Sequence, residues 1–277
     1  MSVKIKKATG KIEDFDERKL LNSLIRSGAE KEHAREVVKE ILSQIKPHMS
    51  TRKIYRLAHR YLKQYNRASV LRYSLKEALL KIGPSGYPFE KFIGELLRSR
   101  GYNVNVGVIL EGKCVSHEVD VLAENKEEIL LVECKYRNSS EGAHDVKTAL
   151  YVHARHQDLR TAMQKQYPDK QINGWLVTNT RFTDDAIQYA ECSGMKIVSW
   201  GYPVKMSLEK MIEESRLYPV TVLSGLSKQQ VRKLIEQNMV LMKDLAKKDT
   251  ASIRKLLSVT DRKASQLKQQ AEELCYC

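Results

Sequence analysis

Hydrophobic residues in the middle of the chain follow first a helical and then a strand spacing. One helix face is predicted by apolar residues repeated at intervals of three and four: Phe89, Phe92, Ile93, Leu96 and Leu97. Beyond Arg100-Gly101, three strands are predicted, at 102–110, 115–123 and 129–136. Helices and strands then alternate, with helices at 143–165 and 183–193 and strands at 175–178 and 196–200. This order of elements predicts an α/β domain.

The pattern of the first 84 residues predicts mainly helices. Two short strands, at 3–7 and 11–15, are predicted to form a hairpin through the turn Thr9-Gly10. Helical patterns follow at 16–28, 31–45, 50–65 and 67–82. The breaker cluster Gly83-Pro84-Ser85-Gly86 ends the last helix, and we place the first domain boundary there.

The last third, after Gly201-Tyr202-Pro203, is also mostly helical, with a single predicted strand at 220–223. The whole pattern predicts an α+β multidomain protein. We expect a small, mostly helical domain at 1–84, a central α/β domain at 87–203 and a helical domain at 204–277.

Charge is distributed unevenly along this chain of net charge +14. Residues 1–83 carry +11 (20 basic and 9 acidic side chains), residues 84–203 carry −2 (14 and 16) and residues 204–277 carry +5 (14 and 9). Basic flanks suit a polyanionic partner such as DNA or a nucleotide, and an acidic centre suits a divalent cation. Solvated surface lysines are the alternative explanation.

No apolar run is long enough to span a membrane, and the first residues lack the apolar segment of a signal peptide. We therefore expect a cytoplasmic protein without membrane contact. The cysteines are odd in number and lack framework spacing, which favours reduced thiols over disulfides: Cys114, Cys134, Cys192, Cys275 and Cys277.

A candidate catalytic group lies on the second and third predicted strands of the central domain. Glu133 and Lys135 are two residues apart on one strand and therefore share a face. If a hairpin around Asn125-Lys126 joins the two strands, Asp120 lies opposite that pair. The alternative interpretation of these three residues is a surface salt bridge, because an Asp followed by Glu-x-Lys often occurs by chance.

Phosphodiester hydrolysis needs a cation that neutralises developing charge and activates water. Asp120 and Glu133 are expected to bind Mg²⁺ or Mn²⁺, with the backbone carbonyl of Cys134 as a further ligand. Lys135 would orient or deprotonate the attacking water. Glu90, near the start of the preceding helix, is expected to face the same metal directly or through water.

The central segment resembles the Mrr-like restriction endonucleases of the PD-(D/E)xK superfamily over about residues 87–202. The resemblance lies in four stretches: Phe89-Glu90 to Gly101-Tyr102, His117 to Asp120, Glu133-Cys134-Lys135, and Thr178 to Thr183. It implies a metal-dependent endonuclease in which Asp120, Glu133 and Lys135 are catalytic and Glu90 is an accessory acid. Many Mrr-like proteins carry Gln where this chain has Glu133.

Residues 1 to about 83 resemble an ATP-cone, a small nucleotide-binding regulatory domain. The matching stretches are Ile5 to Gly10, Phe15 to Leu20 and Ser50 to Ile54. The resemblance implies that ATP or dATP binds as a regulatory ligand, with Lys7 and Lys19 at the phosphates and Thr51 near the base or ribose. Where the family has a basic residue and an acid, this chain has Ala8 and Thr9. A basic helical domain that binds no nucleotide is the alternative.

The tail, 217–277, resembles tandem helix-hairpin-helix DNA-binding modules, with a dimerisation or packing element as the alternative. Three functions therefore stay open: a nucleotide-regulated DNA endonuclease, a nucleotide-sensing DNA-binding regulator with an idle nuclease fold, and an RNA-processing nuclease. Double-strand cleavage would need two sites, which predicts a homodimer.

Overall fold

The computed structural model of the protein describes residues 3–7, 10–65, 67–83, 85–223 and 225–276. Of the residues discussed above, Ala8, Thr9, Pro84 and Cys277 lie outside this part of the chain. The described part is a mixed α and β structure with thirteen α-helices and two sheets, each containing both parallel and antiparallel strands.

The amino-terminal segment contains a three-stranded sheet flanked by helices. Its elements are β1 (Lys4–Lys6), β2 (Ile12–Asp14), α1 (Glu17–Arg26), α2 (Lys31–Gln44), β3 (Met49–Ser50) and α3 (Thr51–Leu62). The β1–β2 hairpin is confirmed, and Asp16 caps α1 by accepting a hydrogen bond from the Lys19 amide. The sequence analysis missed β3, which pairs parallel to β1, because two residues are too few for a strand pattern.

Two helices, α4 (Arg67–Tyr73) and α5 (Leu75–Leu79), replace the single helix predicted at 67–82. The break falls at Ser74, whose hydroxyl donates a 2.9 Å hydrogen bond to the carbonyl of Val70. Serine bonded in this way to the preceding turn competes with regular helix geometry.

The central segment is a five-stranded sheet with helices on both faces. Its elements are α6 (Tyr87–Arg98), β4 (Asn103–Glu111), β5 (Ser116–Glu124), β6 (Glu128–Lys135), α7 (Val146–Gln166), β7 (Gln171–Thr178), α8 (Asp184–Ser193) and β8 (Lys196–Val198). The strands are ordered β4-β5-β6-β7-β8, antiparallel up to β6 and parallel beyond it. The predicted order of elements is confirmed, although β7 begins four residues before the predicted start at 175.

The side chains of β4 switch from one face of the sheet to the other at Gly107, in the middle of the strand. Val106 pairs with Val121 and Val108 with Val119, and Gly107 between them has φ +66°. Val106 and Val121 pack in the core cluster beneath α6, whereas Val108 and Val119 pack in the cluster beneath α7. Residues two positions apart on a strand normally share a face, but Val106 and Val108 lie on opposite faces of the sheet, and so do Val119 and Val121. Asp120 lies between Val119 and Val121, where the face changes.

The carboxyl-terminal segment consists of α9 (Leu208–Ser215), a 3₁₀ turn (Val220–Val222), α10 (Lys228–Glu236), α11 (Met242–Ala246), α12 (Thr250–Leu257) and α13 (Asp261–Tyr276). The predicted strand at 220–223 is wrong. Val220, Val222 and Leu223 are buried, so this apolar stretch reflects core packing around a 3₁₀ turn.

One hydrophobic core joins the carboxyl-terminal helices to the central sheet. It includes Phe89 and Phe92 of α6, Val132 of β6, and Leu267 and Leu274 of α13. The amino-terminal segment has a separate core cluster built around residues such as Leu24 and Ile41. Among the described residues, no helix has the length and apolar character needed to cross a membrane.

Candidate active site

The register of β5 against β6 places the candidate acidic residues side by side. The antiparallel ladder ends with the pair Val121–Val132, and Asp120 and Glu133 are the residues next to this pair on the two strands. Asn125 closes the predicted hairpin, because its side chain accepts hydrogen bonds from the amides of Glu127 and Glu128. The structure therefore brings together the two carboxylates that the sequence analysis singled out.

Glu133 and Lys135 project from the same face at the end of β6. Lys135 Nζ lies 2.6 Å from Glu133 Oε1. The Glu133 side chain is 8% exposed and that of Lys135 is 31% exposed, so the lysine faces solvent where the acid does not. A fixed ammonium group at the mouth of the site can oppose negative charge that forms during a reaction.

Asp120 is held by the backbone of the neighbouring strand. The amide of Cys134 donates a 2.7 Å hydrogen bond to Asp120 Oδ2. The Cys134 side chain is buried in the core cluster beneath α6, away from Glu133 and Lys135. Burial raises the pKa of its thiol well above the ordinary value, so this sulfur stays protonated at neutral pH.

Glu90 of α6 belongs to the same electrostatic group. Burial, and then the charges of Asp120, Glu118 and Glu133, raise the pKa of Glu90 to about 7. Burial and the charge of Glu133 likewise raise the pKa of Asp120 to about 6. Carboxylates that repel one another in a partly buried site favour protons or a metal ion as counter-charge.

The donor chemistry fits a hard divalent cation, since Asp120, Glu133 and Glu90 all offer carboxylate oxygens. As they lie, however, no three acidic, histidine or cysteine side chains within the described residues are grouped to hold an ion. Both oxygens of Glu133 are engaged by cations of the protein.

The sequence analysis missed the second of these cations, Arg155 on α7. Arg155 Nη1 lies 2.9 Å from Glu133 Oε2, and Nη2 donates to the carbonyl of Glu118. Helical periodicity places Arg155 one turn after the buried Val152. Its proximity to Glu133 depends on the loop between β6 and α7, which no local pattern predicts.

The end of β6 is anchored by two further residues that the sequence analysis did not assign. Tyr136 donates through its hydroxyl to the carbonyls of Leu80 and Gly83, at 2.8 and 3.0 Å. The Asn179 side chain accepts from the Arg137 amide at 2.9 Å and donates to the Arg137 carbonyl at 2.7 Å. These contacts fix the backbone that follows Lys135.

The proposed nucleotide residues lie in the amino-terminal segment. Lys6 pairs with Ser50 in the parallel β1–β3 ladder, so Lys7 and Thr51 follow at neighbouring carboxyl ends of the two strands. Lys7 forms a 2.8 Å ion pair with Glu13. Lys19 lies on the first turn of α1, and its side chain is 77% exposed.

Comparison with known proteins identifies the class. Residues 84–200 match the restriction endonuclease family Mrr_cat, and residues 218–275 match the AF1548-like C-terminal family. Residues 84–200 therefore form a restriction-endonuclease-like domain, and this domain indicates nuclease activity.

A protein of Archaeoglobus fulgidus described as uncharacterized is 32% identical over 164 residues, which cover 59% of this chain and 89% of that protein. The chain belongs to the family of this archaeal protein. It is also similar to the crystal structure of AF1548, a protein of unknown function, with 29% sequence identity and a TM-score of 0.56. That similarity covers 69% of this chain and 98% of the other.

Proposed function

We propose that this protein is a metal-dependent endonuclease that hydrolyses DNA phosphodiester bonds. The observation that carries the proposal is the grouping of Asp120, Glu133 and Lys135 at the end of β6 within a restriction endonuclease domain. A surface salt bridge would leave unexplained the burial of Glu133 and the raised pKa values of Asp120 and Glu90.

Asp120, Glu133 and the backbone carbonyl of Cys134 would hold Mg²⁺ or Mn²⁺, with Glu90 as an accessory acid. The ion, when bound, supplies Lewis acidity and a water of lowered pKa. Lys135 orients the attacking water and opposes the negative charge that gathers on the phosphate. Asp120 is kept in place for this task by its bond to the Cys134 amide.

A basic face of α3 supports DNA as the partner. The cations are Arg52, Arg56 and Arg60 of α3 and Lys63, which caps its carboxyl end, and their spacing of four, four and three residues places them on one side of the helix. All four are exposed, and within the described part of the chain none lies within 4.0 Å of an acidic group in an ion pair. Unpaired surface cations in a row match the regular charge of a phosphate backbone.

The deciding experiment is cleavage of supercoiled plasmid by the purified chain, with Mg²⁺ or Mn²⁺ against EDTA. We expect metal-dependent nicking that Lys135→Ala abolishes. Lys126→Ala is the matched control, because Lys126 is an exposed lysine in the turn between β5 and β6, at the other end of both strands. Conversion of both strands in one encounter would support a homodimer.

Parallel reactions with structured RNA and single-stranded DNA separate the alternatives. Cleavage of RNA in preference to DNA would favour an RNA-processing nuclease. If every nucleic acid is bound in a salt-sensitive manner and none is cut, the protein is a DNA-binding regulator with an idle nuclease fold.

A second proposal is that ATP or dATP binds the amino-terminal segment and regulates cleavage. The supporting observation is the parallel β1–β3 pairing of Lys6 with Ser50, since Lys7 and Thr51 are the residues that follow this pair on the two segments. Equilibrium dialysis with ATP and dATP tests it. Lys19→Ala should weaken binding, whereas Lys31→Ala, an exposed lysine at the start of α2, should not. Equal binding by both variants would contradict the role of Lys19.

A further inference from the structure

Arg155 of α7 makes three contacts at or beside the candidate site. Its guanidinium donates to Glu133 Oε2 at 2.9 Å and to the Glu118 carbonyl, and it lies 5.5 Å from the centre of the Tyr151 ring. Its side chain is only 17% exposed. Three contacts on three different groups fix the guanidinium in one orientation.

Glu133 is thereby neutralised from two sides. Lys135 comes from the same strand two residues away, so the two move together. Arg155 comes from a different element, and its contact with Glu133 can be broken by a side-chain rotation without moving the strand. The ion pair with Arg155 can therefore be displaced by a third charge while the strand stays in place.

A divalent cation needs direct contact with carboxylate oxygen, at about 2.1 Å for Mg²⁺. With a guanidinium nitrogen 2.9 Å from Oε2, an ion bound at that oxygen would face a like charge at close range. Asp120 and Glu90 form no ion pair within 4.0 Å among the described residues. Glu133 is therefore in direct contact with cations of the protein, whereas Asp120 and Glu90 are not.

We propose that Arg155 is a positioning residue that holds Glu133 in the metal-free protein and competes with the divalent cation for Oε2. Metal binding exchanges the guanidinium for the ion at this oxygen, and loss of the ion restores the Glu133–Arg155 pair. This inference rests on the metal site of the proposed function. It extends that proposal by adding a residue that sets metal affinity.

The test is Mn²⁺ affinity, measured by titration with electron paramagnetic resonance detection of free ion, without nucleic acid. Arg155→Gln removes the competing charge and should tighten Mn²⁺ binding about tenfold, the equivalent of about 1.4 kcal/mol. Arg155→Lys keeps a cation and should stay close to wild type. Arg160→Gln, which removes an exposed arginine from the same helix, is the matched control.

Thermal unfolding provides a second readout. In EDTA, Arg155→Gln should melt below wild type, because Glu133 then keeps only one of its two ion-pair partners. Saturating Mn²⁺ should raise the melting temperature more in Arg155→Gln than in wild type. If Arg155→Gln does not fold, Tyr151→Ala replaces it, since loss of the exposed ring removes one of the contacts of Arg155 and should also tighten Mn²⁺ binding.

Equal Mn²⁺ affinity in wild type, Arg155→Gln and Tyr151→Ala would overturn the inference while leaving the metal site intact. Failure of the metal site itself has a different signature. In that case Asp120→Asn would bind Mn²⁺ as wild type does, or no variant would bind it, and both proposals would fall.

Discussion

The amide of Cys134 donates a 2.7 Å hydrogen bond to Asp120 Oδ2. This contact ties a charged side chain of β5 to the backbone of β6 between Glu133 and Lys135. The relative placement of the three charged residues is therefore set by the sheet, which is more rigid than a surface loop. Asp120 is partly buried at this point, and burial raises its pKa to about 6.

Metal affinity and stability should depend on pH in opposite directions. Asp120 and Glu90 have raised pKa values in the folded chain, about 6 and about 7. Between about pH 4 and pH 7 the folded state therefore binds more protons than the unfolded state, and the stability contributed by these groups falls as pH rises. The ionised carboxylates bind metal, so metal affinity should rise through the same window.

Thermal unfolding in EDTA from pH 4.5 to 8 checks whether stability falls as pH rises. Mn²⁺ titration at the same pH values checks whether metal affinity rises. Asp120→Asn should flatten the stability profile. Asp169→Asn, an exposed acid before β7, should leave it unchanged. A profile of Asp120→Asn that follows wild type would contradict the assignment.

Gly107→Ala should destabilise the protein by about 1–2 kcal/mol, the cost of a left-handed backbone for an L-residue. In the described part of the chain, no heavy atom outside the adjacent residues lies within 4 Å of the added Cβ, so the cost comes from the φ of +66°. Urea unfolding measures it. Gly201→Ala is the control, since Gly201 also has open space around its Cβ but no positive φ. Equal stability of the two variants would show that the face reversal beside Asp120 does not need glycine.

Asn179→Ala should cost about 1–3 kcal/mol, because the partly buried amide and carbonyl of Arg137 lose their hydrogen-bond partner, the buried Asn179 side chain. Arg137 lies two residues after Lys135, so cleavage should also fall, with the loss concentrated in kcat. Asn105→Ala, in an exposed position of β4, serves as the control. Unfolding curves and single-turnover cleavage are the measurements, and an Asn179→Ala variant as stable as Asn105→Ala would refute the anchoring role.

Charge reversal on α3 should weaken DNA binding. We expect the double variant Arg56→Glu/Arg60→Glu to lose at least tenfold in affinity at low salt and to show a shallower dependence of log affinity on log salt. Fluorescence anisotropy with a short duplex measures both. Lys126→Glu/Lys165→Glu introduces the same charge on exposed positions elsewhere. If both double variants bind equally well, net charge is responsible and α3 has no special role.

Much of the central segment could be predicted from local pattern. The spacing of Phe89, Phe92 and Ile93 predicted α6, and strand composition predicted β4 to β6 in order. The strand predicted at 220–223 was wrong because the β-branched residues there are buried in a 3₁₀ turn, and strand propensity largely reflects burial and packing. The two residues of β3 gave no signal, since their strand character comes only from pairing with β1.

The sequence by itself determined that Glu133 and Lys135 share a face and that a hairpin can bring Asp120 opposite them, because side-chain alternation and turn chemistry are local properties. Only the tertiary structure decided that Arg155 reaches Glu133, that Asn179 holds Arg137 and that the carboxyl-terminal helices share a core with the sheet. Those contacts join residues 22 or more positions apart, and their geometry follows from how the helices pack on the sheet. No spacing rule along the chain contains that information.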